Sequence, residues 1–194
     1  SRQAERLRGP APSPLAAVGA LGRFRRGELI HRLLQLLPDL PAGARAQAAA
    51  DILARERDLS AEQRREMAEA ALGVLTDARF APVWGEGGRA EMAVAGGSPE
   101  LPPGLAVSGR VDRLVVTPER VLVVDFKTNR PSPDRIEGAD PAYLMQMALY
   151  VAVLRAVFPG RRVEAALVWT DGPKLMAVPD NVIAQELARA RRLA

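Results

Sequence analysis

Two segments decide the fold of this chain: GRVDRL at residues 109–114 and VVDFKT at residues 123–128. Each sets a carboxylate within a stretch rich in Val, a residue type typical of β-strands. Asp112 lies in the first segment, and Asp125 and Lys127 lie in the second. Because successive side chains on a strand point to opposite faces, Asp125 and Lys127 share one face.

The residues around these segments predict a β-hairpin. Strand patterns cover Val107–Val116 and Val121–Lys127, and Thr117–Arg120 forms the turn between them. If the strands pair outward from this turn, Asp112 lies directly opposite Asp125, with Cβ atoms ~4.5–5.5 Å apart. A β-bulge would shift this register by one residue. The three charged groups are therefore predicted to converge on one patch.

Two facing carboxylates repel each other, so something must compensate their charge. A shared proton or a hard cation such as Mg²⁺ or Mn²⁺ would do so. Neighbouring cations are the third source: Lys127, Arg110, which the register places opposite Lys127, and Arg113. The apolar run Val121–Val124 predicts a central strand, where unused charges are costly. An ordinary ion cluster between strands is the structural alternative to a functional site.

The rest of the chain completes an α+β pattern, helical in its first 80 residues and strand-rich afterwards. Helices are predicted over residues 23–37, 44–57, 60–76, 142–158 and from 181 to the end. Strands are predicted over residues 90–95, 107–116, 121–127, 163–170 and 175–178. Ser60, in a capping-box pattern, and Asp140, before Pro141, are predicted helix N-caps.

Composition narrows the possible functions. The chain has no Cys, which excludes thiolate zinc sites and cysteine-ligated iron–sulfur clusters and fits a cytoplasmic protein. No apolar run approaches the ~20 residues of a membrane helix. The net charge of +4 argues only weakly for nucleic acid, but Lys127 and Lys174 are the only lysines among 27 cationic residues. A lysine beside a carboxylate pair therefore calls for an explanation.

The chain opens at Ser1 without an initiator Met, which indicates a fragment of a longer protein. Residues 1–20 are punctuated by Gly and Pro, and no helical or strand period persists in them. We expect them to be a linker from an upstream region, followed by one domain over residues 21–194.

Four further side chains are candidates for the same site. His31 lies at the edge of a helical apolar stripe, and Glu91 starts a strand. Gln146 and Tyr150 are one helical turn apart on one face, with Tyr143 on the same side. Each also has an ordinary interpretation: a half-exposed histidine, a charge at a strand end, or the polar margin of a helix.

The order of these residues resembles the RecB-like branch of the PD-(D/E)xK nuclease superfamily. The matching motifs are His31, Glu91, GRVD ending at Asp112, DFK over residues 125–127, and QMALY over residues 146–150. Longer segments resemble the C-terminal nuclease domains of AddA-type subunits of bacterial AddAB helicase–nucleases, in their alphaproteobacterial form. The resemblance covers roughly residues 20 to 180 and implies a restriction-endonuclease-like core, a mixed sheet flanked by helices.

The resemblance also implies roles for individual residues. His31, Asp112, Asp125 and the backbone carbonyl of Phe126 would hold Mg²⁺ or Mn²⁺. Lys127 would position the attacking water, and Glu91 matches an acidic position near the metal.

The remaining motif residues, Gln146 and Tyr150, would contact DNA. The implied activity is an exodeoxyribonuclease that cuts the 3′-ended strand during double-strand break processing, acting on single-stranded DNA. The implied partners are the rest of an AddA-type chain and an AddB-type subunit, without a membrane. A catalytically inactive DNA-binding or protein-interaction module of the same fold is the alternative.

Overall fold

The structure is a computed structural model, which describes the backbone of residues 14–194 and the side chains of residues 22–194. The helices are α1 (Pro14–Leu36), α2 (Ala42–Ala54), α3 (Ala61–Thr76), α4 (Pro141–Val157) and α5 (Asp180–Leu193). The strands are β1 (Gly88–Gly96), β2 (Val107–Val116), β3 (Arg120–Lys127), β4 (Arg162–Trp169) and β5 (Lys174–Ala177). Within the described part of the chain, no helix is both long and apolar enough to span a membrane.

The predicted helices and strands all form, and their ends show the expected chemistry. Ser60 Oγ accepts a hydrogen bond from the Gln63 N–H (3.1 Å), and the Gln63 side chain accepts one from the Ser60 N–H (2.8 Å), which is the capping box. Asp140 Oδ1 accepts from the Ala142 N–H at 2.8 Å. α1 differs from the prediction, because it begins at Pro14 and extends into the expected linker. Proline is tolerated in the first turn of a helix, so it did not mark a loop here. Residues 1–13 of that linker lie outside the described residues.

The five strands form one mixed sheet in the order β1-β2-β3-β4-β5. Neighbouring strands are antiparallel except β3 and β4, which run parallel and are joined by α4. The hairpin register is the predicted one: Val116 pairs with Val121, and the pairing continues to Arg113 with Val124. The predicted α+β fold, a mixed sheet flanked by helices with a helical N-terminal part, is confirmed.

β3 is the central strand, and two cores meet on it. Val121 and Val123 pack with α4 and α5, whereas Leu122 and Val124 pack with α1, α2 and α3 on the other face. All four side chains are buried, as predicted for a central strand. Burying each one stabilises the fold by roughly 1.5–3 kcal/mol. The end of β3 is therefore held on both sides by packed helices.

The sheet opens at the end of this strand. Pairing between β2 and β3 stops at Arg113 with Val124, while β3 continues beside β4 as far as Lys127 with Trp169. The predicted direct pairing of Asp112 with Asp125, and of Arg110 with Lys127, is therefore wrong. The turn does fix the register, but the two strands separate before they reach these residues.

Candidate functional site

A side chain replaces the missing backbone pairing where β2 leaves β3. Asp112 Oδ2 accepts a hydrogen bond from the backbone N–H of Phe126 at 2.7 Å. The β1–β2 ladder also omits the pair Glu91 with Asp112, and Glu91 has a φ of 52°. Since a positive φ is uncommon for a residue other than Gly, the backbone is irregular on both sides of Asp112. Asp112 is thus the residue of β2 that pairs with neither neighbouring strand, and its side chain lies where β2 and β3 separate.

The two carboxylates respond oppositely to their shared surroundings. Burial and the nearby negative charge of Asp112 raise the pKa of Asp125 to about 6, although Lys127 acts against this. Burial would also raise the pKa of Asp112, but the hydrogen bond and charge of His31 outweigh it and hold that pKa below its ordinary value. One carboxylate is thus firmly ionised, and the other is held under electrostatic strain.

His31 reaches this gap from α1. Its Nε2 lies 2.9 Å from the Phe126 carbonyl oxygen and 3.4 Å from Asp112 Oδ2, and its Nδ1 lies 2.9 Å from the Gly27 carbonyl oxygen. Only an imidazolium can donate from both ring nitrogens to such acceptors. Burial alone would lower the pKa of His31, but the contacts with Asp112 outweigh it and raise the pKa to about 9.

Lys127 sits between a carboxylate and an aromatic ring. Its Nζ lies 2.5 Å from Asp125 Oδ2 and 3.5 Å from the centroid of the Tyr143 ring on α4. The ring face attracts the ammonium, so Tyr143 fixes where the charge stands. Asp125 Oδ2 is thus buried against the Lys127 ammonium.

These side chains line a cleft of about 480 Å³ between α1, α4 and the open end of β3. The cleft brings together Asp112, Asp125, Phe126, Lys127 and His31, as the sequence predicts. Its further lining residues are Arg23, Phe24, Arg26, Thr128, Asn129, Arg130 and Tyr143.

Of the three neighbouring cations considered as compensation for the carboxylates, Lys127 contacts them and the two arginines do not. Arg113 faces the core under α1, α2 and α3, where its Nε donates to the Val83 carbonyl at 2.6 Å and its guanidinium lies over Trp84. Arg110 is exposed and donates to the Glu91 carbonyl at 3.4 Å. Lys127 and His31 supply the positive charge at the carboxylates instead.

Glu91 lies apart from the carboxylate cleft. Its half-buried side chain lines a neighbouring depression of about 660 Å³, which shares His31 and Thr128 with the cleft. Glu91 stands inside β1 rather than at its start. The structure therefore places Glu91 beside the site, on the far side of His31.

Gln146 and Tyr150 also lie outside the cleft. Gln146 is exposed and Tyr150 is buried, and both line a third depression between β2, α4 and α5. The Tyr150 hydroxyl lies so close to β2 that a Cβ added at Gly109 would stand 2.2 Å from it. Tyr143, about one turn before Gln146 on α4, is the residue of this helix that lines the cleft.

The sequence analysis missed the residues that dock α1 on the site. Arg26 is buried, pairs with Glu66 of α3, and donates to the Thr128 carbonyl at 2.9 Å. A Cβ at Gly27 would meet Thr128 Oγ1 at 2.9 Å, so only glycine permits this close approach without a shift. The available signal was the spacing of Gly27 and His31, four residues apart on one helical face.

The donor atoms at the open strand end suit a hard divalent cation. Among the described residues, no three His, Cys, Asp or Glu side chains lie together in a metal-holding group. His31 Nε2 is hydrogen-bonded to the Phe126 carbonyl, which is a further oxygen at this place. The two carboxylates of Asp112 and Asp125 and that carbonyl nevertheless form an oxygen-rich donor set, which fits such an ion.

Comparisons with known proteins complete the description. A model of the PD-(D/E)XK nuclease superfamily matches residues 2–191. No curated protein matches the chain significantly. Among solved structures, a crystal structure of SSO0001 is similar, with 14% sequence identity and a TM-score of 0.34, and the match covers 84% of this chain and 74% of that one.

Proposed function

The chain belongs to the PD-(D/E)XK nuclease superfamily, and we propose that it hydrolyses DNA phosphodiester bonds in the cleft of Asp112, Asp125 and Lys127 with a divalent metal ion. The mixed five-stranded sheet flanked by helices is the restriction-endonuclease-like fold of that superfamily, whose nucleases typically use such ions. One observation carries the proposal: the central strand opens where the buried Asp112 and Asp125 carboxylates line one cleft with the Lys127 ammonium.

The proposed metal-holding groups are Asp112, Asp125, His31 and the backbone carbonyl of Phe126. We propose Mg²⁺ as the ion, with Mn²⁺ as a substitute, because the donors are mainly oxygens. When bound, such an ion polarises the phosphoryl oxygen and acidifies the attacking water. To join this set, His31 must first give up to solvent the Nε2 proton that it donates to the Phe126 carbonyl, because a metal ion binds the free lone pair of a neutral imidazole nitrogen.

The role of Lys127 follows from its neighbours. Its ammonium is held between Asp125 and the Tyr143 ring, so it presents a compact positive charge to the cleft. A lysine in this position orients the attacking water and stabilises the negative charge that develops on the phosphate. We propose that Lys127 stays charged throughout and does not act as a general base.

The flanking depressions extend the proposed contact with DNA. Glu91 lines the depression beyond His31, where it would act as the acidic residue near the metal. Gln146 and Tyr150 line the depression between β2, α4 and α5, where the Gln146 amide would contact the DNA strand. The buried Tyr150 would steady β2 through its hydroxyl at Gly109.

The finer identity rests on the sequence resemblance. We propose a cytoplasmic Mg²⁺-dependent exodeoxyribonuclease domain of an AddA-type subunit, acting on the 3′-ended strand at double-strand breaks. Its substrate would be single-stranded DNA, fed by the rest of an AddA-type chain. An AddB-type subunit would be its partner.

A cleavage assay tests the proposal. The chain is incubated with single-stranded DNA, with and without Mg²⁺, beside Asp125→Ala and a control, Glu100→Ala, which removes a carboxylate paired with Arg155 away from the cleft. Cleavage that needs Mg²⁺ and Asp125 but not Glu100 supports the proposal.

Two other outcomes would contradict it. Metal-independent binding without cleavage would identify an inactive DNA-binding module of the same fold, and neither binding nor cleavage would leave a structural interaction domain. Calorimetric titration with Mn²⁺ is the second test, because an isolated domain that cuts slowly still binds the ion through Asp112 and Asp125.

A further inference from the structure

Phe24 is exposed at the lip of the carboxylate cleft. Phe24 is 67% exposed, and among the described residues it is the only aromatic one in the set of exposed large apolar residues. Phe24, Gly27 and His31 are spaced three and four residues apart, so they lie along one face of α1. Seven residues of helix place Phe24 about 10 Å from His31 along the axis.

Two depressions meet at this ring. The cleft that holds Asp112 and Asp125 and the depression that holds Glu91 are both lined by Phe24, His31 and two further shared residues, Arg23 and Thr128. A chain lying in the cleft therefore passes the Phe24 ring if it continues into the second depression. Because Phe24 is largely exposed, its ring is accessible to a group that follows this path.

The charges around Phe24 indicate what would follow that path. Arg23 and Arg130 line the same cleft as the ring, so exposed cations stand near an exposed aromatic side chain, whereas Arg26 is buried and paired with Glu66. Cations that track a backbone beside an aromatic ring that stacks on bases are the combination that binds unpaired nucleic acid strands. A protein partner would need a wider apolar patch than one ring among charged residues.

We propose that Phe24 is a base-stacking residue that holds the nucleotide next to the phosphate at Asp112 and Asp125. The inference rests on the proposed nuclease function and adds a substrate contact on α1. Stacking requires an unpaired base, because a paired base has both faces covered by its neighbours in the duplex. Phe24 thereby helps the cleft to select a strand with unpaired bases.

The experiment measures oligonucleotide affinity by fluorescence anisotropy in EDTA, where metal-dependent cleavage cannot occur. The variants are Phe24→Ala, Phe24→Tyr and a control, Leu36→Ala, which removes another exposed apolar side chain at the far end of α1. The two probes are fluorescein-labelled strands of equal length. One is an oligothymidylate, and the other consists of abasic sugar–phosphate units throughout. The second probe keeps the phosphates and lacks every base.

Phe24→Ala is expected to weaken binding of the oligothymidylate between about 5-fold and 150-fold, and to leave binding of the abasic strand unchanged. Phe24→Tyr and Leu36→Ala should bind like the wild type. The proposal is overturned by an equal loss on both probes, by a Phe24→Ala chain that binds like the wild type, or by a chain that binds neither probe.

Failure here is distinguishable from failure of the proposed function. Cleavage that requires Mg²⁺ and Asp125 but is unchanged by Phe24→Ala would refute the stacking role alone. Absence of any Asp125-dependent cleavage would remove the nuclease proposal itself.

Discussion

Asp125→Asn is predicted to stabilise the metal-free protein while it abolishes cleavage. The pKa of Asp125 is raised from 3.8 to about 6, first by burial and then by the charge of Asp112. The native state therefore keeps a proton on Asp125 at a pH where the unfolded chain has lost it. Stability falls as pH rises through this interval, and the loss is complete above about pH 6.

The size of the effect follows from the same interval. The rise from 3.8 to about 6 corresponds to about 3 kcal/mol of destabilisation of the ionised native state. Asparagine carries no charge, so the variant escapes this loss. Part of the gain is offset because Lys127 loses its charged partner. We expect Asp125→Asn to be about 1–3 kcal/mol more stable near pH 7 in EDTA, with the difference closing near pH 4.

Urea denaturation followed by circular dichroism measures this difference, and a metal titration should reverse it. A divalent ion at 100 times its Kd stabilises a binding protein by about 2.7 kcal/mol, and only the wild type should gain this. Asp134→Asn is the control, because Asp134 is exposed and paired with Lys174 on the surface. Destabilisation by Asp125→Asn near pH 7, or a difference that does not change with pH, would refute the electrostatic account of the carboxylate pair.

Three further predictions concern residues around the pair. Lys127→Arg should lose cleavage but keep Mn²⁺ binding, because a planar guanidinium cannot replace the compact ammonium; an activity–pH profile like that of the wild type would contradict this. Asp112 raises the His31 pKa from 6.5 to about 9, so the wild type has extra stability that is fully present below about pH 6.5 and is lost as pH rises through about 9. His31→Gln should lack this extra stability. Chemical denaturation across that range would show a constant difference if this is wrong. Gly109→Ala should destabilise the fold by about 1–3 kcal/mol, and adding Tyr150→Phe should restore part of it, because the new methyl group would meet the Tyr150 hydroxyl; strictly additive losses in thermal denaturation would contradict the contact.

Local patterns explain what the sequence predicted well. The turn Thr117–Arg120 and the apolar run Val121–Val124 determine the hairpin register and the central strand, because turn chemistry and burial act over neighbouring residues. The capping residues Ser60 and Asp140 are recognisable for the same reason. The same register brings Asp112 near the end of β3, where its side chain rather than backbone pairing places it beside Asp125 and Lys127.

Tertiary contacts explain what the sequence did not predict. The strands separate because the Asp112 side chain takes the Phe126 N–H, and no periodicity encodes that contact. Helical spacing identifies the shared face of Gln146 and Tyr150, but only the packing of α4 decides which depression it lines. Arg113 is different, because strand alternation already points it away from Asp112.

The N-terminal half of α1 shows a further limit of prediction from the sequence. Pro14 suggested a loop where the helix begins, and the role of Phe24 depends on where α1 lies against β3. The close packing of Gly27 on Thr128 sets that position, and it involves residues about a hundred positions apart in the chain. Such a contact is visible only in three dimensions.

The most direct test of the central claim is the cleavage of single-stranded DNA by the purified chain in Mg²⁺, compared with Asp125→Ala. The account predicts cleavage by the wild type that EDTA abolishes and that Asp125→Ala lacks, while Glu100→Ala cuts like the wild type. Cleavage that persists in Asp125→Ala would contradict the account, because the open end of β3 would then not be the catalytic centre.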